Sequence, residues 1–136
     1  MANNPLFYDN TVISAVAPVG TSANSGFLAV YTGSQPALNG AVTGTQLAAA
    51  TFSATAFGAG AASGGVVTAT ANAITSATIA NTGTAGYFVV FKSDGTTVVG
   101  TGSVATSGAD LNVSTTSFVS GATFSCSAFT ITQPQT

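Results

Sequence analysis

The sequence predicts an all-β protein, an antiparallel β-sandwich or jelly-roll of about 8–10 short strands. Short runs rich in Val, Ile, Thr, Phe and Tyr recur along the chain, separated by turn-forming residues at intervals of roughly 8–12 residues. An Asp-Gly pair at 94–95 stands between two such runs. This pair is a strong hairpin signal, because glycine adopts positive φ at little cost.

The first part of the chain contains two candidate strands. Residues 11–17 have the composition of a short strand, which Pro18 and Gly20 would end. Residues 26–32 are apolar at both odd and even positions, which indicates a strand buried on both faces or lying at a subunit contact. We expect residues 1–25 to form an N-terminal arm and residues 26–136 to form one β-sandwich domain.

The middle of the chain is less regular. Residues 46–57 mix helix-favouring Leu and Ala with strand-favouring Thr and Phe, and we interpret them as a strand. Residues 58–65 are rich in Gly and Ser and are predicted to be a flexible loop. Residues 66–70 and 73–80 are rich in Val, Ile and Thr, and are predicted to be strands.

The hairpin predicted around Asp94 pairs residues 86–92 with residues 96–102. Its first strand is apolar on both faces, since Tyr87, Val89 and Phe91 share one face while Phe88 and Val90 share the other with Lys92. One face should contact the sandwich core. The Phe88 and Val90 face would then need either a second layer of the same chain or a neighbouring subunit.

Three further strands are predicted at residues 111–113, 116–119 and 122–132. In the last of them the apolar positions change parity between Ala128 and Phe129, which indicates a bulge or a bend.

Charge is scarce, at 3% of residues against roughly 25% in ordinary domains. Such a surface resists association poorly, which favours a subunit built into an assembly, here a homo-oligomer (dimer or trimer). With one basic residue in the chain, we expect no nucleic-acid partner. No apolar run approaches the roughly 18 residues of a membrane helix, so no membrane association is expected.

The residue content argues against an enzyme. The chain has neither His nor Glu, which removes Ser-His-Asp and Cys-His triads and His-ligated metal sites. The three Asp residues fit turns better than a paired-carboxylate mechanism, and the lone Cys126 fits a small buried hydrophobic residue. We therefore expect no catalytic residues, no cofactor and no metal. Lys92 and Asp94 would form either a local ion pair at the hairpin tip or a contact between subunits.

From Ala29 onwards, about four-fifths of the chain resembles a family of small structural proteins of tailed bacteriophages. The likeness lies in the order and spacing of VYTGSQPA (30–37), GTQLAAATFSATAFGAG (44–60), the long segment at 66–99 and the segment at 102–134. The DGT that follows an aromatic strand and the GADLN at 108–112 are its most distinctive parts.

This resemblance implies a β-rich virion protein without catalytic residues, made in the host cytoplasm. The leading hypothesis is a capsid decoration (cement) protein on the outer capsid surface, with the major capsid protein as partner. Leu6, Phe7 and Tyr8 of the arm are candidate docking residues, because aromatic anchors often dominate interface energy. A tail, neck or fibre-associated β-domain is the alternative, and a carbohydrate-binding module is a weaker one.

Overall fold

The computed structural model describes residues 21–37, 39–64, 66–126 and 129–134. Within these ranges the chain is built from strands, five of which have only two residues. The strands are β1 (Phe27–Thr32), β2 (Gln46–Phe52), β3 (Ala61–Ser63), β4 (Val66–Thr70), β5 (Ile74–Thr75), β6 (Ala77–Thr78), β7 (Gly83–Phe91), β8 (Val98–Ala105), β9 (Leu111–Asn112), β10 (Ser117–Phe118), β11 (Thr123–Phe124) and β12 (Thr130–Pro134).

The main sheet has the strand order β5-β2-β1-β7-β8-β9, and β10 pairs with the start of β7. Its neighbouring strands are antiparallel except for β8 and β9, which pair in parallel through Val104 with Leu111 and Ala105 with Asn112. Two smaller sheets, β12-β4-β3 and β11-β6, complete the described part of the fold. The prediction of an all-β, sandwich-like fold is confirmed.

The hairpin predicted at residues 86–102 is confirmed as β7 and β8. Val89 pairs with Thr101 and Phe88 pairs with Gly102. Gly95 has a φ of 73°, a left-handed conformation that glycine adopts without a steric penalty. The Asp-Gly pair therefore sets the turn, as the sequence indicated.

Residues 46–57 were expected to form one strand, but β2 ends at Phe52. Residues 73–80 were expected to be a strand, but they form β5 and β6, which belong to different sheets. Two further segments differ from their predictions. Residues 61–63 were expected to lie in a flexible loop, but they form β3, which pairs with β4 from Ala61 with Thr68 to Ser63 with Val66. Residues 122–132 were expected to form one strand, but they form β11 and β12, which belong to different sheets. In both cases the sheet partner decides the structure, because β-propensity depends strongly on tertiary context.

Apolar side chains form clusters on both faces of the main sheet. The larger cluster lies between the main sheet and the smaller sheets and includes Leu28 and Val30 of β1 and Val67 of β4. The other face buries Ala29 together with Tyr87, Val89 and Phe91, against which Phe27, Tyr31, Val42 and Ala49 pack. The two-sided burial predicted for β1 and β7 is thus achieved within one chain.

Thr21 and Ser22 are helical and residues 23–25 form a turn, and this segment packs on the domain. Ala23 is only 1% exposed and belongs to the larger cluster. The Ala56 amide donates a hydrogen bond of 2.8 Å to Oδ1 of Asn24. The domain therefore extends towards the N-terminus beyond the predicted boundary at residue 26, at least to Ala23.

Candidate functional site

The residues predicted to contact a partner fall into three groups, which differ in their location and exposure. Leu6, Phe7 and Tyr8 lie outside the described residues. Phe88 and Val90 are 6% and 7% exposed and face the larger core, so a second layer of the same chain covers them. No neighbouring subunit is needed to bury this face of the hairpin.

Lys92 and Asp94 lie exposed at the hairpin tip. The Asp94 carboxylate accepts hydrogen bonds from the backbone amides of Thr96 and Thr97, each 2.8 Å long, and from Oγ1 of Thr97 at 2.5 Å. These bonds lower the pKa of Asp94 from 3.8 to about 2, and the bond from the Thr97 hydroxyl has the largest effect. The carboxylate thus acts as a cap for the turn.

A groove of about 400 Å³ separates the main sheet from the β12-β4-β3 sheet. Its two walls are residues 99–101 of β8 and residues 130–132 of β12, and Ala23 and Asp110 also line it. This volume falls within the range of about 300–1,000 Å³ that is typical of ligand sites. The groove is therefore the candidate binding feature of the described chain.

Four phenylalanines form an aromatic cluster beneath the groove and join the two sheets across the core. Phe88 meets Phe129 edge-on with ring centroids 5.3 Å apart. Phe129 also contacts Phe52 and Phe57, at 6.1 Å and 6.0 Å. Edge-to-face and tilted pairs at these distances are favourable beyond the area that they bury. The floor of the groove is consequently apolar and tightly packed.

Asp110 lies at the groove and protects part of the edge of β8. Its Oδ2 accepts a hydrogen bond of 3.0 Å from the Ser103 amide and one of 3.3 Å from the Ser103 hydroxyl. The Asp110 amide in turn donates to the Ser103 hydroxyl at 3.2 Å. The sequence predicted a turn role for Asp110, and the structure adds the bond to the strand edge.

Phe88 and Val90, which line the groove, were singled out from the sequence, but the wall residues of β8 and β12 were not. The walls come from β8 and β12, which are distant in the chain and lie in different sheets. One signal was present, namely the change of parity before Phe129, the residue that the structure places in the aromatic cluster. Thr and Gly residues in the walls carry no distinctive sequence pattern.

The described part of the chain is poor in side chains that bind metals or react chemically. Within its ranges no three His, Cys, Asp or Glu side chains come together in a way that could hold a metal ion. Cys126 is half-buried and forms no disulfide. No described helix has the length and apolar character needed to cross a membrane.

The chain was compared with models of protein families, with curated proteins and with solved structures. None of the three comparisons finds a match.

Proposed function

We propose that the protein is a structural component of a tailed-phage virion, and specifically a decoration protein that binds the outer face of the major capsid protein. The observation that carries this proposal is a well-packed β-domain with an almost uncharged surface. Among the described residues, only Lys92, Asp94 and Asp110 carry charged side chains, and all three are exposed. The resemblance of residues 29–136 to small phage structural proteins points the same way.

An uncharged surface of Ser, Thr, Asn and Gly suits permanent contact with another protein. Burying charged groups at an interface carries a large desolvation cost, whereas hydroxyl and amide groups need only a hydrogen-bond partner. A free protein of this kind lacks charge repulsion between copies, but a subunit fixed in an assembly does not depend on it. The composition therefore suits a protein that is bound in an assembly better than one that is free in solution.

In this role the protein acts as a clamp. It binds across the boundaries between capsid subunits as a dimer or trimer, and its contacts resist the outward pressure of packaged DNA. A ligand that binds only the assembled state stabilises that state by about 2.7 kcal/mol at a concentration 100 times its Kd. Leu6, Phe7 and Tyr8 are proposed as one docking element, because aromatic side chains are frequent interface anchors.

The copy number of the protein in purified virions tests this function. A decoration protein is present in numbers comparable to the major capsid protein, so a stained gel should show both bands at similar molar intensity. A few copies per particle would instead support the alternative of a tail, neck or fibre-associated domain. Absence of the protein from virions would refute both versions.

A binding assay tests the docking element. Capsids lacking the protein are mixed with the purified chain and sedimented, and the bound fraction is measured. The variant that lacks residues 1–10 should lose most of its binding, whereas the control Ser107→Ala, at an exposed position outside the predicted contacts, should bind as the wild type does. Equal binding of the deletion variant and the wild type would rule out the arm as an anchor.

A further inference from the structure

Asn39 and Gly40 form part of an exposed turn in the loop that joins β1 to β2. They are the one place in the sequence where glycine follows asparagine. Asn39 has a φ of 62°, in the left-handed region that asparagine adopts more readily than most residues do. A Cβ atom on Gly40 would lie 2.8 Å from the Ala37 carbonyl oxygen, so the turn favours glycine there. The turn geometry thus explains why these two residues stand next to each other.

The Asn39 side chain is less restrained than the other asparagine side chains of the described ranges. Those four form hydrogen bonds, and they belong to Asn24, Asn72, Asn81 and Asn112. In Asn81, for example, Nδ2 donates to the Gln46 carbonyl at 2.9 Å. Among the described residues, no hydrogen bond holds the Asn39 side chain. Its amide is therefore free to rotate towards the backbone that follows it.

An unrestrained asparagine that precedes glycine can react with its own backbone. The Gly40 nitrogen loses its proton to hydroxide or water and attacks Cγ of Asn39. The bond between Cγ and Nδ2 then breaks, ammonia leaves, and a five-membered succinimide ring remains. Water opens this ring at either carbonyl carbon and yields aspartate or isoaspartate, so that in total one amide and one water become a carboxylate and an ammonium ion. Glycine favours the ring closure, because it has no Cβ atom to restrict the backbone.

One hydrogen bond of the turn opposes this reaction. The Gly40 amide donates to the Ala37 carbonyl at 2.7 Å, and this bond must break before the nitrogen can attack. Both residues are exposed, so water replaces the lost partner as soon as the turn opens. Because a single bond of this kind contributes little net free energy, it should slow the reaction by at most about tenfold.

We propose that Asn39 is a site of spontaneous deamidation, which proceeds through a succinimide formed with Gly40. The new carboxylate has an ordinary pKa of about 3.9 and is ionised at neutral pH. It adds one negative charge to a chain whose net charge is −2. The surface has few charged groups, so this single change alters its electrostatics markedly, and modified copies repel one another more strongly. The inference does not depend on a virion role.

Timed incubation of the full-length purified protein at neutral pH, followed by peptide mapping with mass spectrometry, tests this assignment. The reference is a synthetic peptide of residues 34–44, SQPALNGAVTG, incubated in the same buffer. Asn39 of the folded protein should deamidate at a rate within about tenfold of the peptide rate. Asn81, which is exposed but hydrogen-bonded, is the internal control and should deamidate later. A rate at Asn39 below this range, or earlier conversion of Asn81, would overturn the proposal.

The products distinguish ring closure from direct hydrolysis of the side chain. A succinimide opens to both aspartate and isoaspartate, whereas direct hydrolysis yields aspartate alone. Both products are expected at Asn39, and their rate of formation should rise with pH because the Gly40 nitrogen must lose its proton. Detection of aspartate alone, or a rate that does not rise with pH, would contradict the succinimide route.

A glycine variant supplies the matched control for the charge change. Asn39→Gly removes the reactive amide and keeps a residue that adopts positive φ without a steric penalty. On isoelectric focusing, the wild type should accumulate a more acidic form during the incubation, and Asn39→Gly should accumulate it much more slowly. Equal rates in the two proteins would place the reaction at another residue and would refute the proposal.

Discussion

The Phe88 ring lies directly over Gly102 of β8, and this contact leaves no room for a side chain. A Cβ atom at Gly102 would lie 2.4 Å from Cε1 and Cζ of Phe88 and 3.1 Å from Cβ of Asp110. The ring cannot move freely, because it is buried and packs edge-on against Phe129. Overpacking of this kind usually costs about 1–3 kcal/mol. We expect Gly102→Ala to lower the free energy of unfolding by that amount.

Gly100 supplies a matched control two residues earlier on the same strand. A Cβ atom there meets no atom within 4 Å, so Gly100→Ala introduces no clash. Replacing glycine by alanine at a compatible position stabilises by about 0.4–1 kcal/mol, because the unfolded chain loses freedom. The same substitution should therefore have opposite effects at two positions of one strand.

Urea unfolding followed by far-UV circular dichroism measures both variants. The midpoint of Gly102→Ala should fall and that of Gly100→Ala should stay or rise, with unchanged m-values. Trimming the ring in the double variant Gly102→Ala/Phe88→Leu should recover part of the loss, because the two changes share one contact. Equal midpoints for the two alanine variants would refute the packing inferred at Gly102.

Three further predictions concern the aromatic cluster and the ionisable groups. Phe129→Ala should lower the free energy of unfolding by about 3–5 kcal/mol, measured by the same urea titration, since it removes a buried ring that joins the two sheets. The pKa of Asp94 is lowered from 3.8 to about 2, so its contribution to stability is complete above about pH 4 and is lost as the pH falls towards 2. Asp94→Asn should reduce the dependence of the melting temperature on pH over that range. Burial, helped by the nearby Tyr87, raises the pKa of Tyr31 above 10.0. The stability that the neutral Tyr31 contributes is therefore lost as the pH rises through that raised value. Tyr31→Phe should reduce the loss of stability at alkaline pH, measured by thermal melts.

The elements that the sequence predicted well are those set by local signals. The Asp94-Gly95 turn defines the β7–β8 hairpin because two adjacent residues determine its geometry. The apolar residues on both faces of β1 indicated double burial, and the structure has β1 between β2 and β7 with both faces covered. β3 escaped prediction because Ala61, Ala62 and Ser63 have weak strand propensity, and pairing with β4 determines their conformation.

The groove could not be predicted because its parts are distant in sequence. It exists where β8 and β12, members of different sheets, lie on opposite sides of the aromatic cluster. Nothing in the pattern around Thr130 or Gly100 distinguishes a wall residue from an ordinary strand residue. For Phe88 and Val90 the sequence allowed either a second layer of the same chain or a neighbouring subunit to cover them. Only the positions of both sheets decide between these two alternatives.

The central position of β7 has a consequence for how the protein is made. β1 pairs on one side with β2, which follows it closely in the sequence. Its other edge stays unpaired until β7 has been synthesised and Phe27 can pair with Phe91. Roughly 60 residues separate these partners, and a ribosome adds about 5–20 residues per second, so the wait lasts about 3–12 s. During that time the nascent chain carries an apolar, unpaired strand edge with almost no charge to repel another copy. The nascent chain is therefore the form of this protein most prone to aggregate, and a lower rate of translation initiation, which leaves fewer nascent chains present at one time, should raise its soluble yield.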